Sequence, residues 1–256
     1  MKKLFLLLFV LNLTFAKDLK LEDYFKDYNT NGVFVLFDGK NYTSNDFTRA
    51  KKAFSPASTF KIFNALISLD SGVIKDEKEI FYHYKGEKVF LSSWANDMNL
   101  SSAIKYSNVL AFKQIARKIG TKTMQKYLKD LHYGNAKISQ IDTFWLDNSL
   151  KISAKDQAFL LFKLSQDTLP LSQKAQQSVK KMIYLKDMKK LELFGKTGWN
   201  DEQKIAWIVG FVRLKDENEF KSFALNLDIS NFKDLYKREE ILEKYLNDIL
   251  IKTKKL

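Results

Sequence analysis

Three stretches toward the end of the chain, Leu191 to Trp199, Ile205 to Leu214 and Phe220 to Ile229, read as consecutive strands. They are parted only by Asn200-Asp201-Glu202 and by Lys215 to Asn218. Connections this short and polar join antiparallel neighbours, because a parallel crossover needs a dozen residues or more. One further strand, Gly32 to Phe37, lies far upstream and ends at an Asp38-Gly39 turn. The interval between is helical. Ser58 to Leu69, Leu100 to Ile119, Thr121 to Leu131, Ala154 to Ser165 and Ser172 to Met182 carry apolar residues at helical spacing, punctuated by Gly120 and Pro170. Leu19 to Tyr28 reads as a short amphipathic helix, and a last helix runs from about Asp234 to Ile251. This order predicts an α/β fold: an antiparallel sheet flanked by terminal helices, with a helical lobe inserted against one edge. A cleft between the two lobes is the natural place for a ligand.

The first sixteen residues differ from the rest. Lys2 and Lys3 precede an apolar run from Leu4 to Leu13, and Thr14-Phe15-Ala16 follows. That is the pattern of a signal peptide cleaved after Ala16, and the run is too short to span a bilayer. The expected mature chain, residues 17–256, is one catalytic domain of two lobes, exported to the periplasm without stable membrane insertion. A formal charge of +13 raises the question of nucleic acid. Only Arg49, Arg117, Arg213 and Arg238 are arginine, and the lysines are spread along most helices as solvated faces, so no nucleic-acid partner is expected. A basic surface also favours anionic small molecules. The chain has no cysteine, which removes thiol catalysis, thiolate metal sites and disulfides together. His83 and His132 stand in no ligand-like or triad-like spacing, so neither zinc nor Ser-His-Asp chemistry has its usual residues.

Four groups remain, in one order: Ser58-Thr59-Phe60-Lys61, Ser107-Asn108-Val109, Tyr133-Gly134-Asn135 and Lys196-Thr197-Gly198. Serine with lysine three residues on recurs at Ser102/Lys105, Ser178/Lys181 and Ser230/Lys233, so spacing alone decides nothing. Context separates the first pair. Pro56 precedes it, and Phe60, Ile62, Phe63, Ala65, Leu66, Ile67 and Leu69 are apolar nearly all round, as in a buried central helix. Lys61 then reaches the Ser58 hydroxyl along one helix face. A buried amine resists protonation, so it can act as a base or combine with carbon dioxide to give a carbamate. On the strand, Lys196 and Gly198 share a face, which offers a positive charge beside a spot with no side chain where substrate can approach the backbone. Gly195-Lys196-Thr197 also resembles the end of a phosphate loop, but Lys190 stands where that loop needs glycine, and a strand follows rather than a helix. Trp145 reads as a core aromatic whose indole N–H needs an acceptor, and the Arg238 fork can hold a carboxylate by two parallel hydrogen bonds.

Pro56-Ala57-Ser58-Thr59-Phe60-Lys61, Ser107-x-Val109, Tyr133-Gly134-Asn135, Phe144-Trp145-Leu146, Lys196-Thr197-Gly198 and Ala224-x-Asn226-x-Asp228-Ile229 together resemble the class D serine β-lactamases, the oxacillinases. The likeness covers almost all of the mature chain. Class A enzymes share S-x-x-K and K-T-G, but Ser107-Asn108-Val109 departs from their S-D-N. The resemblance implies a β-lactamase/transpeptidase-like fold and hydrolysis of β-lactam antibiotics through a covalent serine acyl-enzyme. It implies Ser58 as nucleophile and Lys61, carbamylated from carbon dioxide or bicarbonate, as general base for acylation and deacylation. Trp145 would hold the carbamate in a pocket kept apolar by Val109 and Leu146, and Ser107 would pass a proton to the leaving nitrogen. Backbone N–H groups of Ser58 and Trp199 would form the oxyanion hole. Lys196, Thr197 and Arg238 would hold the substrate carboxylate, Gly198 and the bulky Trp199 would line the cleft, and Tyr133 would support it. No metal and no organic cofactor is implied, and monomer and homodimer both remain open. The rival readings are a β-lactam sensor domain, which usually follows membrane spans, and a penicillin-binding transpeptidase.

Overall fold

The computed structural model describes residues 19–252; the signal segment expected over residues 1–16 lies outside them. Seven strands form the main sheet: β1 (Leu19–Lys20), β2 (Gly32–Phe37), β3 (Tyr42–Ser44), β4 (Tyr184–Met188), β5 (Leu191–Asn200), β6 (Ile205–Leu214) and β7 (Glu219–Asp228). Their order is β1-β3-β2-β7-β6-β5-β4, antiparallel throughout except for the parallel β1/β3 pair. The two predicted hairpins are present. Ile205 pairs with Asn200 on one side and with Asp228 on the other.

Successive side chains of a strand point to opposite faces. On β6, Trp207, Val209 and Phe211 enter one core while Ala206, Ile208 and Val212 enter the other. Both faces of the sheet are therefore covered, which explains why these strands read as continuous apolar runs. The first core is shared with the helical lobe: α1 (Lys61–Asp70), α2 (Leu100–Lys105), α3 (Val109–Ile119), α4 (Thr121–Asp130), α5 (Ala154–Ser165) and α6 (Gln173–Met182). Every residue of α1 from Lys61 to Ser68 is buried, as expected of a central helix. The second core is closed by α7 (Lys237–Leu246), whose Tyr245 ring stacks 4.4 Å from Phe34.

Two predicted helices differ. Leu19 to Tyr28 is not one: β1 and the 3-10 turn Lys26–Tyr28 replace it. Its helical spacing serves another purpose, since buried Phe25 packs in the space that Gly32 leaves by having no Cβ. The single helix expected from Leu100 to Ile119 is two, broken at residues 106–108. Asn108 caps the second by accepting from Ala111 N at 3.0 Å, and Asn99 caps the first through a reciprocal box with Ser102. The break is what carries Ser107. Among the described residues, no helix is long and apolar enough to cross a membrane.

Candidate active site

Residues 57–60 form one 3-10 turn that runs directly into α1, with half-buried Ser58 on it. Ala57 has φ of +48°, a left-handed conformation that a residue with a Cβ rarely adopts. Such strain persists where the surroundings over-determine it. Here Ser55 supplies the restraint: its N–H donates to Gln203 Oε1 at 2.9 Å, its Oγ to the Trp145 carbonyl at 2.9 Å, and its carbonyl accepts from the Trp207 indole at 2.9 Å.

Lys61 has no exposed surface. Its Nζ lies 2.7 Å from Ser58 Oγ, 3.0 Å from the Ser107 carbonyl oxygen and 3.1 Å from Ser107 Oγ. No carboxylate pairs with it among the described residues. Burial, reinforced by the Lys196 charge, holds its pKa well below the ordinary lysine value. Nζ thus donates to three oxygens at once, Ser58 Oγ and the two of Ser107. Ser107, like Ala57, has a positive φ, +55°, so both residues that frame Ser58 Oγ and Lys61 Nζ are held in the left-handed region.

Trp145 is fully buried, its ring 5.8 Å from Phe60, and its indole N–H finds no acceptor among the described residues. Leaving such a donor unpaired costs about 1–3 kcal/mol, so the site tolerates a group it does not itself satisfy. The Tyr133-Gly134-Asn135 turn lies beneath. Tyr133 is also fully buried, 4.8 Å from Phe63 and 5.3 Å from Phe60, with burial raising its pKa strongly. It packs under α1 and so supports the cleft from beneath. Gly134, at φ +51°, lies so close to the Lys151 carbonyl that a Cβ would strike it. Asn135 donates to the Ser149 carbonyl at 2.8 Å and accepts from Lys151 N at 3.0 Å. This turn thus pins the segment that follows Trp145 and Leu146, while Asn200 Nδ2 holds the Leu146 carbonyl at 3.0 Å.

The third wall is β5. Strand β4 covers it only as far as Phe194, with a register shift between Tyr184 and Lys186, so its outer edge is open from Lys196 onward. Gly195 N–H donates outward to the Ile183 carbonyl at 2.7 Å. Alternate residues of a strand aim their N–H groups the same way, which turns those of Thr197 and Trp199 to the open edge. The face of Gly198 expected to admit substrate is instead filled by protein. A Cβ there would lie 3.0 Å from the Pro56 carbonyl and 3.1 Å from Thr59 N, so the missing side chain lets β5 press against the segment that carries Ser58. The Trp199 ring likewise does not line the Ser58 side. It points to the opposite face, 5.5 Å from Phe232, with its N–H 3.4 Å from the Ile229 carbonyl.

Lys196 is buried and donates to the Thr197 carbonyl at 3.1 Å. Burial and the neighbouring Arg238 charge lower its pKa to about 7. Arg238, in the first turn of α7, gives its Nε to Glu239 Oε1 at 2.9 Å and reaches the Gly198 carbonyl with another nitrogen at 3.5 Å. Part of its fork remains for an incoming anion.

One feature was missed from sequence. Four rings run in contact from one wall to the other: Trp94 to Phe90 at 6.2 Å, Phe90 to Phe232 at 6.3 Å and Phe232 to Trp199 at 5.5 Å. Trp94 is tied to the Tyr106 carbonyl at 2.9 Å, next to Ser107. Phe90 and Phe232 are 72% and 52% exposed, which is unusual for rings that pair only with each other and a neighbour. Nothing in helical or strand periodicity marks loop aromatics of this kind.

The sequence model described as penicillin binding protein transpeptidase domain matches residues 25–247. β-Lactamase OXA-48 of Klebsiella pneumoniae is 39% identical over 228 residues, covering 87% of this chain and 85% of its own. OXA-10 of Pseudomonas aeruginosa is 41% identical over 224 residues, 84% of this chain and 83% of its own. The solved structure of FUS-1 (OXA-85), a class D β-lactamase from Fusobacterium nucleatum subsp. polymorphum, superposes with a TM-score of 0.85 at 45% identity, covering 89% of this chain and 96% of that one. The chain belongs to the class D β-lactamases. Its fold is the one expected of a class D β-lactamase, an antiparallel sheet with an inserted helical lobe. One class D motif lies away from Ser58: Asn226 Oδ1 and both Asp228 oxygens accept from Arg49, at 3.0, 2.7 and 3.2 Å, clamping β7 to the short helix Phe47–Ala50.

Proposed function

We propose that the protein hydrolyses β-lactam antibiotics through an acyl-enzyme on Ser58, with Lys61 as its carbamate serving as general base in both halves of the reaction. The observation that carries the reading is a fully buried Lys61 amine 2.7 Å from Ser58 Oγ, its pKa held well below the ordinary lysine value by burial, in a core that also holds the Trp145 indole N–H. The carbamate forms when the amine lone pair attacks carbon dioxide and an N–H proton is released. The product is a carboxylate that the Trp145 indole can hydrogen-bond, between the apolar Val109 and Leu146.

Ser58 Oγ adds to the lactam carbonyl as its proton leaves toward residue 61. The developing oxyanion lies against the N–H groups of Ser58 and Trp199, the latter on the open β5 edge. As the C–N bond breaks, Ser107 Oγ delivers a proton to the leaving nitrogen and takes its replacement from the carbamic acid at residue 61, which restores the base. The carbamate then takes a proton from water as that water adds to the ester, and the proton passes to Ser58 Oγ as the acyl group leaves. Export through residues 1–16 places this activity in the periplasm, where a β-lactam is the small-molecule partner.

Intact-protein mass after brief and long exposure to a penicillin tests the proposal. Many turnovers with only a transient adduct are expected. One equivalent bound and retained for hours, with bicarbonate present, would make the protein a β-lactam receptor instead.

Lys196, Thr197 and Arg238 are proposed to hold the substrate carboxylate. Arg238→Ala should raise KM about tenfold and leave kcat nearly unchanged, because a contact made equally in ground and transition states alters binding alone. The same contact predicts a pH dependence. Lys196 has its pKa near 7 in the free protein, and a bound carboxylate raises it by favouring the charged form. Binding therefore takes up a proton, so KM should be lowest below neutral pH and rise as pH passes above about 7. A flat KM between pH 6 and pH 9 would remove Lys196 from carboxylate recognition.

A further inference from the structure

A cavity of about 710 Å³ adjoins the cleft at the Lys196–Thr197 edge, and apart from those two residues its lining enters none of the chemistry above. It lies between α2, the last turn of α6 and the bulged start of β4, with Gly195 to Thr197 as its inner wall. Its floor is apolar: Ile104, Met182, Ile183 and Leu185. Its rim is cationic. Lys78, Lys105 and Lys181 are exposed and make no ion pair among the described residues, and Glu77 is the one acid facing them. Lys105 and Lys181 stand in the last turns of their helices, where part of each charge answers the carbonyl ends. Lys78 stands outside any helix, so a surplus of positive charge remains around an apolar floor.

We infer that this cavity is an annex of the substrate cleft that takes an anionic substituent carried on the carboxylate-bearing side of the β-lactam nucleus. The inference rests on the β-lactamase reading and extends it to substrate class. Three points support it. The annex shares Lys196 and Thr197 with the candidate carboxylate site, so a group attached next to the first carboxylate enters without crossing Ser58. Its volume falls in the range of ligand pockets, roughly 300–1,000 Å³, and suffices for a small ring with an acid group. Its chemistry, apolar below and cationic above, is complementary to an arm that is apolar near the nucleus and anionic at its tip. Dianionic β-lactams of this kind are the expected preferred substrates over neutral-armed ones.

The test compares two cephalosporins with identical acylamido side chains, one whose C3 arm ends in a sulfonate and one whose C3 substituent is methyl. With the unaltered protein, KM should be lower for the sulfonate, and the advantage should shrink as salt is raised. In the doubly charge-reversed variant Lys78→Glu/Lys181→Glu, KM for the sulfonate should rise about tenfold while the methyl compound keeps its KM and kcat. Leu185→Trp, at a half-exposed position, should obstruct the annex by bulk and impair only the long-armed substrate. Equal KM for the two compounds before and after charge reversal would overturn the annex and leave the hydrolase reading standing. If neither compound is turned over while the methyl compound still acylates the protein, the hydrolase reading itself falls, and the annex with it.

Discussion

Ser58→Ala abolishes covalent modification by penicillins while the protein stays folded. The side chain removed is small, half-buried and bonded only to Lys61, so little packing is lost. On the proposed mechanism the chemistry loses everything, because Ser58 is its one nucleophile. Turnover should fall by at least about 10⁴-fold, the scale on which loss of a nucleophile acts when the rest of a catalytic unit remains. Intact mass and circular dichroism of the variant are the measurements. An adduct of ordinary mass formed at an ordinary rate would displace Ser58 from the mechanism.

Lys61→Ala and Trp145→Ala separate the base from the group that holds it. Lys61→Ala should slow both acylation and deacylation by about 10²–10⁴-fold, the usual contribution of a positioned base. Trp145→Ala leaves the amine in place but removes the indole N–H, so acylation should survive in part while deacylation stalls and the adduct accumulates. Added bicarbonate should speed the unaltered enzyme and partly rescue the Trp145 variant. Acid should slow both. Burial lowers the Lys61 pKa, so the amine is neutral above that lowered value and protonated below it. Only the neutral form combines with carbon dioxide, and the activity is therefore lost as pH falls rather than as it rises. Carbon-13 NMR with labelled carbon dioxide reads the modification directly. No carbamate signal at about pH 7.5 would exclude it as the base.

Sequence legibility followed chemistry more closely than geometry. The three late strands, the core helix behind Ser58 and the helix Ala154–Ser165 were readable because apolar periodicity and caps agree there. The break at residues 106–108 was not, because apolar spacing continues on both sides of it; the Asn108 cap was the one local sign. Strand β4 escaped notice because nearly all of its side chains are exposed and so carry no alternation. Ser58, Lys61, Ser107 and Lys196 converge as expected. The open face of Gly198 and the Trp199 ring sit on the expected strand but turn to other neighbours, since a motif records which residue is required and not the side from which it acts. The ring bridge from Trp94 to Trp199 joins segments more than a hundred residues apart, a pairing no local pattern can announce.

The contact between Gly198 and the Pro56–Thr59 segment bears on which lobe carries each part of the site. Ser55 and Gly198 tie the Ser58 turn to the sheet, whereas Ser107 sits on the break between two helices of the inserted lobe. Lys61 joins the two, because its Nζ lies within hydrogen-bond reach of Ser58 Oγ and of both Ser107 oxygens. A substitution that loosens the seam between sheet and inserted lobe is therefore expected to register first at the Lys61–Ser107 contacts.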